Sequence, residues 1–461
     1  MTIDRSEGDT NLSPQRRAWA GRNVGPETQR WLDADARRFL HQALSTPCLD
    51  VVVRAEGLWL ETLDGRRYMD FHGNNVHHVG HGHPRLKRAL KRQLDDLPFV
   101  PRRFTDLPAI HLAERLTTLA PAGLDKVLFS PGGSEAVEMA IKLARAATGR
   151  HKTVSFWDSF HGAGFGAISV GGEKIFRAAP FGPLLPGTEH VAPFACYRCP
   201  YGYPADAEGR PLLELCKMTC ASFVGYVLEK EGDVAAVIAE PIRSVPYLPP
   251  PGFWQEVRRA CDAHGALLIF DEIPSGLGKT GRMFASEHTG VVPDMLVLGK
   301  ALGGGIVPIA ALLARADLDV VPDRALGHYT HEKNPFTCAA ALETLAIIEE
   351  ERLVDNAAVQ GAYFLERLRA LREHHPLIGD VRGQGLLVGV ELVTDRATKQ
   401  PAIEAAEDVL YAALERGLSF KTTMGNVLTL TPPLTVTRAD IDHAVRILDE
   451  SLAEAEGQAA R

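Results

Sequence analysis

PDMLVLGKALGGGIVPIAAL, residues 293–312, decides how the rest of the chain is read. The apolar run Met295 to Leu298 is short enough for a buried strand. It ends in Gly299-Lys300, ahead of Gly303, Gly304 and Gly305. A lysine closing a buried apolar run is costly unless its charge is lost or put to use. Condensation with an aldehyde does both, and a desolvated lysine with a lowered pKa is a competent amine nucleophile. Alone, a lysine after a strand is ordinarily a surface residue. The stretches around this one argue otherwise.

Upstream, GALLIFDEIPSGLGKTG (265–281) sets Asp271 and Glu272 at the end of another apolar run, where parallel sheets place their sites. FSPGGSEAVEMAIKLAR (129–145) puts a glycine-rich loop and Ser134 ahead of a helical pattern, which suits an anion at a helix N-terminus. Gly133 and Ser134 are the candidate donors; taken alone, the loop is a simple helix cap. WDSFHGAGFGA (157–167) follows the strand-like KTVSF and sets Phe160 before His161-Gly162, a flat ring available for stacking. Between residues 106 and 320 the runs KVLFS, KTVSF, VAAVIAE, GALLIFDE, MLVLGKA and PIAALLA alternate with helical patterns. That alternation predicts an α/β domain whose mainly parallel sheet is covered by helices. Further out, VVVRAEGLWLETLDGRRYMDF (51–71) reads as a hairpin with Asp64-Gly65 in a tight turn, and a helical pattern before it runs through Trp31, Leu32, Phe39, Leu40 and Leu44. A helical stretch near 340–372, the strand-like LLVGVEL and VLTLTP, and a closing helix near 438–455 complete a small α+β domain drawn from both termini. The expected organisation is a mobile tail over 1–20, the small domain over 21–80 and 336–461, and the large domain over 81–335.

The 461 residues are 45% hydrophobic and 23% charged, with a formal net charge of −8. That is long enough for two sizeable cores and offers no electrostatic footprint for nucleic acid. No apolar run reaches membrane-spanning length, and the polar start MTIDRSEGDTNLSPQRR lacks a signal-peptide core. Seven cysteines cannot all pair within the chain, and without an export signal they read as thiols of a cytoplasmic protein. Four of them, Cys196, Cys199, Cys216 and Cys220, have spacing compatible with tetrahedral zinc. The link PYGYPADAEGR is nevertheless an ordinary loop, and no metal is assigned to them.

In this order and spacing the four motifs resemble the class III (ω-type) aminotransferase family of pyridoxal-5′-phosphate (PLP) enzymes, over nearly the whole chain from the hairpin to PPLTVT (432–437). The resemblance implies the type I fold of PLP enzymes and a homodimer with active sites at the interface. It implies that Lys300 carries the cofactor and shuttles a proton, and that Asp271 pairs with the pyridine nitrogen. Phe160 and Ile273 would sandwich the ring, and Gly133 and Ser134 would bind the phosphate. Thr330, in HYTHEKNP, matches a family threonine that reaches the phosphate from the other subunit, and Glu240 matches a position near the cofactor.

Several residues depart from the family pattern. NVLTLTPPL places Thr429 where ω-type transaminases carry the arginine that binds a keto acid, and EPIRSV places Val245 where its removable glutamate partner is expected. Threonine cannot replace a bidentate arginine–carboxylate pair. Pro274 stands where glutamine is usual, Arg243 where a neutral side chain is usual, and FHGNNVHHVGHGHP (71–84) is unusually rich in histidine. With FLHQALSTPCLDV and GHYTHEKNP, these departures resemble a branch of the family that eliminates ammonia from hydroxylated aminophosphonates. The implied reaction is a β-elimination converting a 1-hydroxy-2-aminoethylphosphonate to phosphonoacetaldehyde and ammonia, with an ω-aminotransferase as the alternative. Arg103, Arg243 and His77 are the candidate substrate ligands for this small-molecule aminophosphonate.

Overall fold

The computed structural model describes residues 8–10, 12–177, 181–206 and 209–459. The chain forms two units. The larger takes residues 75–79 and 83–355, and the smaller takes the chain up to residue 74, residues 80–82 and the chain from 356 on.

The larger unit is built on seven strands: β1 (Lys126–Ser130), β2 (Lys152–Phe156), β3 (Thr188–Val191), β4 (Val234–Ala239), β5 (Leu267–Asp271), β6 (Met295–Leu298) and β7 (Ala310–Ala314). Their order across the sheet is β1-β7-β6-β5-β4-β2-β3. All neighbours pair in parallel except β7, which runs antiparallel to both β1 and β6. The six apolar runs of the sequence are therefore six of the seven strands. β4, β6 and β7 are buried at every position, which is why they read as continuous apolar runs instead of alternating ones. The seventh, TEHV, is polar at three positions and only half-buried at its start, so no apolar run announced it.

Helix α1 (Gly133–Thr148) covers one face, burying Val137, Met139, Ala140, Ile141 and Ala144 against Ile238, Ile269, Val297 and Leu312. It stops at Gly149, whose φ of 68° is the left-handed cap that glycine accepts most readily. An aromatic cluster holds another part of this core: Trp254, 1% exposed, packs on Phe270 at 4.7 Å and Phe253 at 4.9 Å between ring centroids, with Phe156 and Phe194 alongside.

In the smaller unit, Val52–Glu56, Trp59–Thr62 and Arg67–Asp70 form an antiparallel meander. The Asp64-Gly65 turn joins its second and third strands, with Gly65 at a φ of 78°. Leu418–Ser419 adds to the third strand in parallel. A second sheet orders Ile378–Gln384, Leu387–Asp395, Val427–Leu430 and Lys421–Thr423, and the helices Ile403–Glu415 and Arg438–Ala459 also belong to this unit.

Two local expectations are corrected. A helix already starts at Pro14, capped by the Ser13 hydroxyl, and its Trp19 is fully buried, so the expected tail is structured there; residues 1–7 and 11 lie outside the described residues. The next helix, Pro26–Arg38, ends before Phe39 and Leu40, both exposed, and does not run on to Leu44. No helix among the described residues is long and apolar enough to cross a membrane.

Replacing Trp254 with alanine removes the centre of the aromatic cluster. The expected cost is about 3–5 kcal/mol, read as a fall of several degrees in the melting temperature or as loss of soluble protein. An unchanged melting curve would show that the cluster is not a keystone of this core.

Candidate active site

The carboxyl ends of β1, β2, β4, β5 and β6 all lie on one edge of the sheet, because these strands run in one direction. Ligands bind at such edges in open α/β sheets. Here the edge carries the loop from Pro131 to Ser134, the 157–162 loop, Glu240, Asp271 and Lys300.

Asp271 is the last residue of β5 and is 1% exposed. Its Oδ2 stands 2.7 Å from Nδ1 of His161, itself 2% exposed, and its Oδ1 accepts the Ile273 N–H at 3.0 Å. A buried carboxylate is tolerable only with such partners. His161 was visible in the FHG stretch, but its role was not: only the folded chain brings it to a carboxylate 110 residues away. Its Nε2 has no hydrogen-bond partner among the described residues.

Lys300 follows β6 in a half-buried position with a φ of 44°, a left-handed conformation that a non-glycine residue adopts only when its surroundings impose it. It borders a cavity of about 310 Å³ together with Val76, Pro131, Gly132, Gly133 and Ile306. That volume is at the lower end for a small-molecule site.

Gly132 caps α1 and has no side chain to occupy the first N–H groups of the helix, which leaves them to an anion. A Cβ on Gly133 would lie 2.7 Å from Cδ1 of Ile273, so glycine keeps the loop and the isoleucine in contact. Ser134 Oγ accepts the Ala163 N–H at 3.0 Å, tying this loop to the one that carries Phe160 and His161. Gly162, with a φ of 135°, has no room for a Cβ against Ser134. Phe160 is 37% exposed and rests on Phe176 at 4.7 Å. Glu240 is buried after β4 and accepts the Ser244 N–H at 2.6 Å.

Glu272, beside Asp271, plays a different part. It accepts the N–H groups of Ala285 and Ser286 at 2.5 and 2.7 Å, and burial pushes its pKa up to about 7. Thr330 is exposed in the turn before the helix Pro335–Glu350. Of the substrate candidates, Arg103 is exposed in a turn before the helix Leu107–Leu119, and His77 is fully buried. Arg243 is 3% exposed, stacks over the Tyr247 ring at 5.1 Å and donates from Nη2 to the Asp158 carbonyl. Its Nε and Nη1 have no partner among the described residues. The histidine-rich segment is partly spent on local structure: His81 Nε2 pairs with Asp70 at 2.9 Å, and His78 Nε2 with the Gly276 carbonyl at 3.2 Å.

The residues present fit PLP. The open first turn of α1 beside the crowded Gly133 could cradle a phosphate, the cavity borders Lys300, and the His161-backed Asp271 could face a protonated ring nitrogen.

An α/β sheet with a lysine and a buried acid at its carboxyl edge defines a class of protein, and comparison with known proteins specifies it. Residues 41–452 match the model of the family described as aminotransferase class-III, and the chain belongs to that family. It is 44% identical over 457 residues (98% of this chain and 95% of the relative) to the (R)-1-hydroxy-2-aminoethylphosphonate ammonia-lyase of Vibrio splendidus. It is 38% identical to the leucine/methionine racemase of Thermococcus litoralis, covering 88% of this chain and 91% of that one. Among solved structures, the PLP-bound amine transaminase of an uncultivated Pseudomonas species superposes with a TM-score of 0.83 at 32% identity, covering 91% and 99% of the two chains.

Replacing His161 with alanine leaves the Asp271 carboxylate buried without its strongest partner. Activity is expected to fall at least about tenfold, in line with the cost of breaking a buried pair, while circular dichroism stays unchanged. His161→Gln, whose amide can still donate to Asp271, should recover part of it. Full activity in His161→Ala would refute the supporting role of this pair.

Proposed function

We propose that this chain is a PLP-dependent ammonia-lyase converting a 1-hydroxy-2-aminoethylphosphonate to phosphonoacetaldehyde and ammonia. One observation carries the choice of lyase over transaminase: both positions where ω-transaminases hold their carboxylate gate are uncharged and built into the interior. Thr429 is 3% exposed and its hydroxyl is bonded to that of Thr423 at 2.8 Å, while Val245 is 5% exposed. A relative at 44% identity that carries this activity in its name supports the same reading.

When bound, PLP supplies an electron sink that stabilises negative charge on the carbon bearing the substrate amine. The chain supplies the rest. Gly133 and Ser134 would hold the phosphate, Phe160 and Ile273 would flank the ring, and Asp271, oriented by His161, would keep the ring nitrogen protonated. Lys300 would hold the cofactor, and its ε-amine, once free, would take the proton from the amine-bearing carbon. The electron pair left behind forms the carbon–carbon double bond as the neighbouring hydroxyl departs with a proton as water. Addition of water to the released enamine yields the aldehyde and ammonia, so no keto acid is consumed.

The phosphonate calls for guanidinium partners. Arg243, with two buried N–H-bearing nitrogens unspent, and Arg103 are the proposed ligands, with His77 alongside. Arg243→Ala or Arg103→Ala should cost about 2–5 kcal/mol of substrate or transition-state binding, with cofactor retained. The proposal extends to a homodimer in the cytoplasm. The exposure of Thr330 suits a residue that serves the partner's phosphate, and the seven free cysteines suit a reducing compartment. Thr330→Ala should weaken cofactor retention; a fully active monomer in sedimentation would overturn this part.

The deciding experiment supplies the hydroxy-aminophosphonate without any keto acid. About one ammonia per aldehyde is expected over many turnovers, as the elimination requires. Turnover that stalls after one cycle and resumes on adding 2-oxoglutarate or pyruvate would make the protein a transaminase.

A further inference from the structure

Far along the chain from Lys300, four of the seven cysteines converge on one small cavity. Cys196 opens the short turn Cys196–Arg198 and Cys199 follows it. Cys216 ends the helical turn Leu213–Cys216, and Cys220 is the second residue of the helix Thr219–Glu231. Between those two, Lys217 and Met218 are both left-handed, with φ of 45° and 53°. Neither residue favours that conformation, so the surroundings impose it. The reversal at this point brings Cys216 and Cys220 to the same cavity as Cys196 and Cys199. The Thr219 hydroxyl braces the reversal, donating to the Cys216 carbonyl at 2.7 Å and meeting the Tyr203 hydroxyl at 3.2 Å.

The cavity holds about 20 Å³, room for a single water-sized guest. Phe194 and Tyr201 are among its walls. All four cysteines are free thiols, and none is exposed. Four thiols lining one cavity offer a soft cation an all-sulfur donor set, and metal binding draws such thiols into their thiolate form.

We propose that Cys196, Cys199, Cys216 and Cys220 form a structural tetrathiolate site for a thiophilic divalent ion of the zinc class. The C-x₂-C pair and the C-x₃-C pair have the spacing of closed zinc sites, in which every coordination position is taken by protein and no catalytic water remains. Zn–S bonds of about 2.3 Å set the sulfurs roughly 3.8 Å apart in a tetrahedron. Among the described residues no three of the four thiol sulfurs lie within 4.8 Å of one another, so coordination draws them inward. The ion would clamp the 193–204 loop to the start of the helix Thr219–Glu231.

The test is metal analysis of the full chain with its cofactor, expressed with added zinc and purified without chelator. About one zinc per chain is expected, released as a mercurial titrates the four thiols. Reconstitution with Co²⁺ should give tetrahedral d–d bands and thiolate-to-metal charge transfer. Cys199→Ser and Cys220→Ser should each lower the bound metal at least about fivefold, whereas Cys338→Ser, buried elsewhere, should leave it unchanged. If a serine variant fails to fold, the cobalt spectrum of the wild type still decides. Protein that carries no metal and gives no thiolate–cobalt bands would overturn the proposal. So would finding the four cysteines as two disulfides, or metal retained in full by both serine variants.

Discussion

The Asp271 carboxylate sits at the end of a strand where burial leaves it almost no water, and the His161 ring 2.7 Å away is what makes that position tolerable. Much of the site follows from this pair. The loop after β2 carries His161 to the aspartate, and Phe160 precedes it in the same loop. The same loop then meets Ser134 through the Ala163 N–H, so the Pro131–Ser134 loop, the 157–163 loop and the buried acid are tied to one another. Ile273, whose N–H bonds Asp271, sits tight against Gly133. A cofactor placed here would meet groups already oriented, with little reorganisation required.

Parallel strands buried on both faces explain why so much of this was legible in the sequence. Continuous apolar runs can only be central strands or buried helices, and polar residues closing them must stand at the strand ends. KVLFS, VAAVIAE, GALLIFDE and MLVLGKA announced β1, β4, β5 and β6, together with Glu240, Asp271 and Lys300. What escaped was what sequence periodicity does not encode. TEHV forms β3 through backbone pairing with β2, and its polar side chains gave no signal. His161 stood in plain view, yet its role depends on a contact across 110 residues. Glu272 was legible only as the neighbour of Asp271 at a strand end, and the fold spends it on two backbone N–H groups. The helix at Pro14–Asn23 was hidden by its polar composition; the burial of Trp19 and Arg16 holds it in place.

The two positions that depart from the transaminase pattern follow a different logic. A transaminase must accept a carboxylate and release it again, which requires an arginine with a partner that can swing away. Thr429 is locked to Thr423 and Val245 is apolar, so neither position can do this. An elimination has no second substrate to accommodate and loses nothing by closing these positions. Arg243 adds charge at the turn following β4, and its stacking on Tyr247 fixes the guanidinium plane while two of its nitrogens stay unspent. Under the proposed reaction, an uncharged Thr429 and Val245 and a buried Arg243 fit one substrate logic.

All of this rests on Lys300 being the residue that holds the cofactor. Reduction of the purified holoenzyme with borohydride, followed by peptide mass spectrometry, tests that directly. The yellow absorbance should disappear and the reduced cofactor should be found on Lys300, with Lys300→Ala carrying no label and no turnover. Finding the label on any other lysine would contradict the account.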